Sequence, residues 1–130
     1  MKVTLDEIKE RIQPVEKGIV LVKERGRMDI ESLNLSFDYK EEIKKSMEGD
    51  IRLVIDLSNT ALPSVGERNL IKRRMVQLAP SYVAFFLGNN FLMRVAIRFV
   101  LMGQNYNFSV HKSYDEALVA VRNAMGVCEA

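Results

Sequence analysis

Short apolar runs alternate with amphipathic stretches along most of the chain. The runs at residues 18–22 (GIVLV), 51–57 (IRLVIDL), 82–87 (YVAFFL) and 107–111 (NFSVH) are rich in β-branched or aromatic residues and are bounded by turn residues. Runs of this kind predict β-strands. The runs at 51–57 and 82–87 are apolar almost throughout, which is typical of strands buried on both faces of a parallel sheet.

The first stretches between these runs predict two helices and one irregular segment. The apolar residues within 5–12 have helical spacing, and Pro14 ends that helix. Residues 28–35 alternate imperfectly and predict an irregular edge segment. Asp38 and Glu41 have the spacing of a capping box, which predicts a helix N-terminus. This helix is predicted to end at Gly49, with the apolar members Phe37, Tyr39, Ile43 and Met47.

Two further capping boxes mark later helices. Ser64 with Glu67 and Ser113 with Glu116 both have the S-x-x-E spacing of a helix N-terminus. Pro80 lies just beyond the first of these helices, where a proline cannot continue it. The boxes predict helices over residues 64–78 and 113–125.

Strand and helix alternate regularly through the second half of the chain. This order predicts right-handed βαβ units on a mainly parallel sheet. The chain has 130 residues, which is the size of one typical domain. We therefore predict a single α/β domain over residues 1–130, with a mixed, mostly parallel sheet of four to five strands and flanking helices.

Composition and charge exclude several classes of protein. The hydrophobic fraction is 48%, the charged fraction is 28% and the net charge is +2, a balance that is ordinary for a globular domain and does not indicate nucleic acid. The N-terminus lacks the apolar segment of a signal peptide, and no apolar run approaches the roughly 20 residues of a membrane-spanning helix. One cysteine excludes an intrachain disulfide, so we expect a cytoplasmic protein.

Three segments carry a resemblance to a known family: VIDLSNTALPSVGERN at 54–69, VAFFLGNNFLMRVAIRFV at 83–100 and FSVHKSYDEALVAV at 108–121. From residue 51 onward the chain resembles the STAS, or SpoIIAA-like, domains of bacterial anti-sigma-factor antagonists and their uncharacterised relatives. The resemblance implies a STAS-like (SpoIIAA-like) fold and a non-enzymatic regulatory role that depends on protein partners.

The resemblance also implies a role for one serine. In the signalling members, a kinase phosphorylates a serine at the start of the helix after the central strand, and the added charge breaks an interface. With one residue deleted, Ser64 falls at that position and Gly66 at the following glycine, whereas Pro63 replaces the usual aspartate and Val65 the second serine. Ser64 is thus a possible regulatory serine, and the alternative is that it serves as a helix N-cap.

Polar residues follow two neighbouring predicted strands. Asp56, Ser58 and Asn59 lie at the end of the first, and Asn89 and Asn90 follow the second. Ligands of open α/β sheets bind at the carboxyl ends of the strands, so these five residues form a possible ligand rim. The alternative is that they are ordinary loop and cap residues.

The predicted helix at 91–102 is apolar nearly all round apart from Arg94 and Arg98. Surface helices normally have a polar face, so three explanations stay open: an interface with a partner or second copy, burial within the monomer, or the wall of a lipid-sized pocket. The basic residues of the preceding helix are Arg68, Lys72, Arg73 and Arg74. With Arg94 and Arg98 they predict a surface for an acidic partner, an anionic lipid head group or, as the weakest option, nucleic acid; the alternative is a solvated helix face. The possible interface residues are Arg68, Lys72, Phe91, Val95, Arg98, Phe99 and Met102.

No pattern indicates catalysis. His111 is the only histidine and has no identifiable orienting partner, and Cys128 has no evident base. We therefore expect no catalytic residue, no metal and no cofactor. The favoured function is a regulatory or protein-interaction module that forms a homodimer. The alternative is a small carrier of an apolar or lipid-like ligand, with Met and Phe side chains lining its pocket and Arg94 or Arg98 contacting the head group.

Overall fold

The computed structural model describes residues 3–27, 29–47, 50–101, 103 and 106–129, and for residues 99, 100 and 125–129 it describes the backbone alone. Helices and strands alternate through most of these ranges. In chain order they are α1 (Leu5–Arg11), β1 (Ile12–Glu16), β2 (Ile19–Gly26), α2 (Ile30–Ser46), β3 (Arg52–Thr60), α3 (Val65–Leu78), β4 (Tyr82–Phe86), α4 (Phe91–Val100), β5 (Phe108–His111) and α5 (Tyr114–Glu129).

The strands form one sheet in the order β1-β2-β3-β4-β5. β1 pairs antiparallel with β2, and every later neighbour pairs in parallel. The predicted mixed, mostly parallel sheet is therefore confirmed. Because β2 to β5 run in the same direction, their final residues meet at one edge of the sheet, which we call the carboxyl edge.

Side chains from the two faces of the sheet enter two separate cores. On β3, Ile55 and Leu57 pack into a large core that also takes residues from α1, α2, α3 and α4. Val54, on the other face of the same strand, packs against Ala117 and Val121 of α5. The strand is buried on both faces, as its continuous apolar sequence predicts. We call the core beneath α1 to α4 the main core.

The start of α2 differs from the prediction of an irregular segment at 28–35. α2 begins at Ile30, and Asp29 is its N-cap, with a carboxylate oxygen that accepts a hydrogen bond from the Ser32 amide at 2.8 Å. Ser32 and Ser36 are buried in the face that α2 turns to the core. These two small polar residues interrupt the apolar period, which is why the sequence pattern does not reveal the first turns of α2.

The capping box predicted from Asp38 and Glu41 is wrong. Both residues lie inside α2, and their carboxylates form ion pairs with Arg74 of α3. The spacing of three residues is shared by a capping box and by two neighbours on one helix face. α2 also ends at Ser46, earlier than the predicted end at Gly49.

β1 is an element that the sequence pattern does not predict. The chain leaves α1 directly into β1, where Pro14 lies opposite Val20 of β2. Proline is tolerated in a strand at the edge of a sheet because one side of that strand needs no ladder hydrogen bonds. Pro14 thus ends α1 as predicted and then continues as part of an edge strand.

Candidate binding cavity and interaction surface

A cavity of about 110 Å³ lies in the main core between the sheet and helices α2, α3 and α4. It is smaller than an engineered protein cavity of roughly 150 Å³ that binds benzene. Exposed residues such as Arg27 and Ala61 also line it, so it opens to the surface and can hold a small apolar group in part. The described residues that form its apolar wall include Leu33, Phe37, Ile55, Leu57, Ile71, Met75, Phe85, Met93, Ile97 and Leu101.

Charged side chains interrupt this apolar wall. Lys40, with a relative exposure of 3%, is the most deeply buried of them. Its ammonium nitrogen lies 3.8 Å from a carboxylate oxygen of Glu24 on β2, which exceeds the usual length of an N–H···O hydrogen bond. Burial lowers the pKa of Lys40, with Glu24 opposing this effect and the charge of Arg74 adding to it. The other charged residues of the wall are Arg27, Glu67 and Arg68.

Arg74 joins α3 to α2 beside Lys40. Its guanidinium donates hydrogen bonds to Asp38 at 2.7 Å, to Glu41 at 2.5 Å and to Asn34 at 2.9 Å. Burial alone lowers the pKa of Arg74, but the hydrogen bonds to Asp38 and Glu41 raise it overall. The charge of Arg74 is therefore fixed, and it engages the two nearby carboxylates of α2.

The predicted capping box at the start of α3 is confirmed. The Ser64 hydroxyl accepts a hydrogen bond from the Glu67 amide at 3.2 Å, and the Ser64 amide donates to the Glu67 carboxylate at 2.8 Å. That backbone hydrogen bond is the largest of the effects that lower the pKa of Glu67, and the guanidinium of Arg27 at 3.3 Å adds to it. Ser64 is exposed, and its regulatory role stays a prediction.

Of the residues of the possible ligand rim, Asp56, Ser58 and Asn59 lie in the last part of β3, and Asn89 and Asn90 follow β4. Asp56 accepts hydrogen bonds from the Ser58 amide at 2.9 Å and the Ser58 hydroxyl at 2.5 Å. The Asn90 side chain donates to the carbonyl oxygens of Leu57 at 2.7 Å and Thr60 at 3.0 Å, and it accepts from the amide of Met93. These bonds hold the last residues of β3 against the start of α4.

Two other rim residues make fewer contacts. The Asn59 side chain lies 3.5 Å from the Ser58 hydroxyl, and both Asn59 and Asn89 are exposed. None of the five rim residues is among the described residues that line the cavity. Ligand binding by this rim stays a prediction.

α4 has one buried face and one exposed apolar face. Met93 and Ile97 enter the main core, whereas Phe91, Leu92 and Val95 have relative exposures of 69%, 69% and 61%. Burial within the monomer therefore explains only part of the apolar sequence of this helix. The side chain of Phe99 and the whole of Met102, both predicted to belong to an interface, lie outside the described residues.

Exposed cations lie on α4 and next to its end. Arg94 and Arg98 are exposed on α4 itself, and Lys72 of α3 lies next to the end of α4, since a Cβ at Gly103 would stand 3.1 Å from the Lys72 ammonium. The sequence contains no Asp or Glu between Arg68 and Tyr114. We call Arg68, Lys72, Phe91, Leu92, Arg94, Val95 and Arg98 the α3–α4 surface.

His111 lies on the face of the sheet that α5 covers. Its Nε2 is 2.6 Å from the hydroxyl of Ser109, which accepts a hydrogen bond from the Tyr82 hydroxyl at 2.7 Å. This chain of polar groups is on the opposite face from the cavity, because the register places Ser109 beside Ala84 and His111 beside Phe86. The side chain of Cys128 lies outside the described residues.

Within the described ranges, no group of three or more His, Cys, Asp or Glu residues is placed to hold a metal ion. Among the helices of that same part of the chain, none is both long enough and apolar enough to cross a bilayer.

Sequence reasoning missed the charged residues of the cavity, although the pattern contains a signal for two of them. Lys40 comes three residues after Phe37 and three before Ile43 on the buried face of α2. Glu24 continues the alternation of Val20 and Val22 on β2. A charge at a position that the period assigns to the core indicates either an ion pair or a binding site.

Comparison with known proteins identifies the fold. No protein-family model matches the chain, and a search of curated proteins finds no match. Among solved structures, an uncharacterised protein of the DUF3478 family with a SpoIIAA-like fold, from Shewanella loihica PV-4, is similar with a TM-score of 0.60 and 15% identity, over 85% of this chain and 89% of the other.

Two structures of antagonists are also similar. An anti-sigma factor antagonist from Mycobacterium paratuberculosis has a TM-score of 0.55 and 16% identity, over 85% of this chain and 91% of the other. The anti-sigma factor antagonist SpoIIAA in its unphosphorylated form has a TM-score of 0.54 and 11% identity, over 85% and 96%. Identities this low establish the fold alone, and at that level the predicted resemblance is confirmed: the chain has the SpoIIAA-like fold of STAS domains.

Proposed function

We propose that this protein is a non-enzymatic regulatory module that binds another protein through the α3–α4 surface. The observation that carries the proposal is the exposure of Phe91, Leu92 and Val95 on a helix whose opposite face is already buried. Clustered exposed apolar side chains on a soluble domain mark interaction sites. Interfaces are also enriched in aromatic residues and in arginine, and this surface contains Phe91, Arg94 and Arg98.

The charge of the surface indicates an acidic partner. Arg94 and Arg98 are exposed on the same helix as the apolar residues, and Arg68 and Lys72 lie on α3. No acidic residue occurs in the sequence from residue 68 to 114. Complementary charge steers association and selects among partners. Two structural neighbours are named anti-sigma factor antagonists, which supports a protein as the partner, and we place the interaction in the bacterial cytoplasm.

A second copy of the chain fits this surface less well than an acidic protein. A symmetric dimer contact uses the same patch on both copies, so the arginines of both α4 helices would come together. Like charges placed against each other disfavour association. The predicted homodimer stays a prediction, and the mass of the native protein in solution tests it directly.

The cavity favours a second candidate function, that of a carrier for a small apolar ligand. Its wall is mainly apolar, and it can hold a small hydrocarbon group in part. Neither Arg94 nor Arg98 is among the described residues that line the cavity, so a head group bound by either would lie outside it, and this contact stays a prediction.

A quantitative capture experiment tests the favoured function. Val95→Asp places an acidic group on the α3–α4 surface, and Val119→Asp is the matched control on the exposed side of α5, where Val119 has 51% exposure. We expect an acidic protein that is retained by the wild type and the control, lost with Val95→Asp, and released by salt. With the purified partner, Val95→Asp should weaken binding at least about tenfold.

Two results would contradict the proposal. One is a partner that the wild type and Val95→Asp retain equally, with circular dichroism confirming that both are folded. The other is binding of the wild-type protein to vesicles with anionic lipid in the absence of any captured protein, which would assign the surface to a membrane.

A further inference from the structure

We infer that the cavity binds a small uncharged amphiphile whose hydroxyl or amide group bridges Lys40 and Glu24. This inference goes beyond the proposed protein-binding function, which uses the α3–α4 surface and shares Arg68 alone with the cavity wall. It rests on the carrier function for the same cavity and specifies the chemical class of the ligand. The hydrocarbon part of the ligand would contact the apolar wall around Phe37, Ile55 and Met93.

The separation of the two charges leaves room for a ligand group. The ammonium of Lys40 and the carboxylate of Glu24 are 3.8 Å apart, too far for a direct hydrogen bond yet close enough for one oxygen to reach both at about 2.8 Å. A hydroxyl group accepts a hydrogen bond from an ammonium and donates one to a carboxylate. A primary amide meets the same two requirements with its oxygen and its NH₂ group.

Charge balance excludes the more familiar head groups. A ligand carboxylate beside Lys40 would also face the carboxylate of Glu24, and a ligand ammonium beside Glu24 would face Lys40. In a poorly solvated cavity, an added charge without its own partner is strongly disfavoured. Arg74 does not supply that partner, because it is not among the described residues that line the cavity.

The surroundings of the pair support the same ligand class. Lys40 has 3% exposure and the Glu24 side chain 17%, so little water competes for their hydrogen bonds. Elsewhere in the wall, Arg27 and Glu67 form an ion pair at 3.3 Å. Arg68, whose buried Nε has no hydrogen-bond partner among the described residues, is the competing anchor, and it would select an anion instead.

Three compounds with a six-carbon ring distinguish an uncharged amphiphile, a purely apolar ligand and an anion: cyclohexanol, cyclohexane and cyclohexanecarboxylate. Titration of isotope-labelled protein, followed by nuclear magnetic resonance, gives a dissociation constant for each and shows which amides respond. We expect cyclohexanol to bind about thirtyfold more tightly than cyclohexane, the effect of two additional net hydrogen bonds, and more tightly than cyclohexanecarboxylate, with responses from residues that line the cavity.

Variants of the pair test the anchor directly. Lys40→Met should weaken cyclohexanol binding about fivefold and leave cyclohexane binding unchanged, whereas Lys45→Met, an exposed position on the same helix, should change neither. If Lys40→Met does not fold, Glu24→Gln serves instead, since removal of its negative charge should strengthen binding of cyclohexanecarboxylate.

The contrary results are distinct. Equal binding of cyclohexane and cyclohexanol overturns the bridging inference but keeps the carrier function. Tightest binding of the carboxylate assigns the head group to Arg68 and also overturns the inference. Absence of binding by all three compounds overturns both the inference and the carrier function, and it leaves the protein-binding proposal unaffected.

Discussion

The ammonium group of Lys40 lies 4.3 Å from the centre of the Phe37 ring, one helical turn earlier on α2. The guanidinium of Arg74 approaches the same ring at 5.5 Å. Cations near an aromatic face are stabilised by the ring quadrupole, most strongly where water is scarce. Phe37 therefore helps to keep two cations buried between α2 and α3, and it also forms part of the cavity wall.

The lowered pKa of Lys40 predicts that its contribution to stability depends on pH. Below its folded-state pKa, Lys40 is protonated in the folded and unfolded chains, and burial of the charge destabilises the fold. As the pH rises through that pKa towards 10.5, the folded chain releases the proton first and this destabilisation is relieved. The stability of the wild type should therefore increase over this pH range relative to a variant without the amine.

The variant for this comparison is Lys40→Met with Glu24→Gln, which removes both charges and leaves neither one buried alone. Urea unfolding at pH 7 and near pH 10 measures the difference from the wild type. We expect the free energy of unfolding of the variant, relative to that of the wild type, to be highest at pH 7 and to fall as the pH rises. A difference that is the same at both pH values would show that Lys40 does not titrate differently in the folded chain.

Arg74→Met should destabilise the protein by about 2 kcal/mol. It removes the hydrogen bonds to Asp38, Glu41 and Asn34 and leaves two carboxylates of α2 close together. The loss is smaller than for a fully buried pair because the Asp38 side chain is 64% exposed and solvent screens it. The stability of Arg74→Lys should lie between those of the wild type and Arg74→Met, since lysine keeps the charge but not the forked geometry.

Denaturant unfolding at constant pH provides the measurement for Arg74. Arg73→Met, at an exposed neighbouring position of α3, is the control and should remain within about 0.5 kcal/mol of the wild type. If the two variants lose the same stability, the network of Arg74 does not hold α2 against α3.

The sequence predicts the order of the later elements well because their residues are governed by local rules. The run at 51–57 is buried on both faces, and Ser64 with Glu67 forms the predicted capping box. The pairing of Asp38 and Glu41 with Arg74 depends instead on contact between α2 and α3. Arg74 lies 36 positions after Asp38 and 33 positions after Glu41. Local spacing cannot distinguish such tertiary partners from a cap.

The candidate site was predictable only in part for the same reason. The apolar sequence of α4 indicates an unusual surface, and Phe91 and Val95 are exposed as an interface requires. The cavity, in contrast, exists only where three helices meet the sheet. Its polar pair consists of Glu24 on β2 and Lys40 on α2, and no local sequence motif predicts their contact.

Ser64→Ala should destabilise α3 by about 1 kcal/mol, because the hydroxyl caps the Glu67 amide. Ser64→Asp retains a side-chain acceptor at the N-cap and should stay near the stability of the wild type. Thermal unfolding followed by circular dichroism distinguishes the two. Equal losses in both variants would indicate that the capping hydrogen bond contributes little in solution.

The stability that Glu67 contributes should depend on pH in the acid range. Its folded-state pKa lies below the ordinary value of 4.5, so the contribution is fully present above pH 4.5 and is lost as the pH falls through the folded-state pKa. Glu67→Gln removes the titrating group, and its stability should therefore fall less than that of the wild type on acidification. Urea unfolding at pH 6 and pH 3 measures the loss of stability for the wild type and for Glu67→Gln. Equal losses would contradict a lowered pKa of Glu67 in the folded chain.

Two adjacent residues of α4 should respond in opposite ways to truncation, because Leu92 is 69% exposed and Met93 is 2% exposed. Met93→Ala removes contacts from the main core and should cost about 2–4 kcal/mol in the free energy of unfolding. Leu92→Ala should change that free energy by less than about 0.5 kcal/mol but weaken binding of the acidic partner. Denaturant unfolding and a binding titration, done on both variants, separate the two roles of the helix. Loss of stability in Leu92→Ala would mean that the exposed face is covered by the protein itself, and the α3–α4 surface would then not be free to bind a partner.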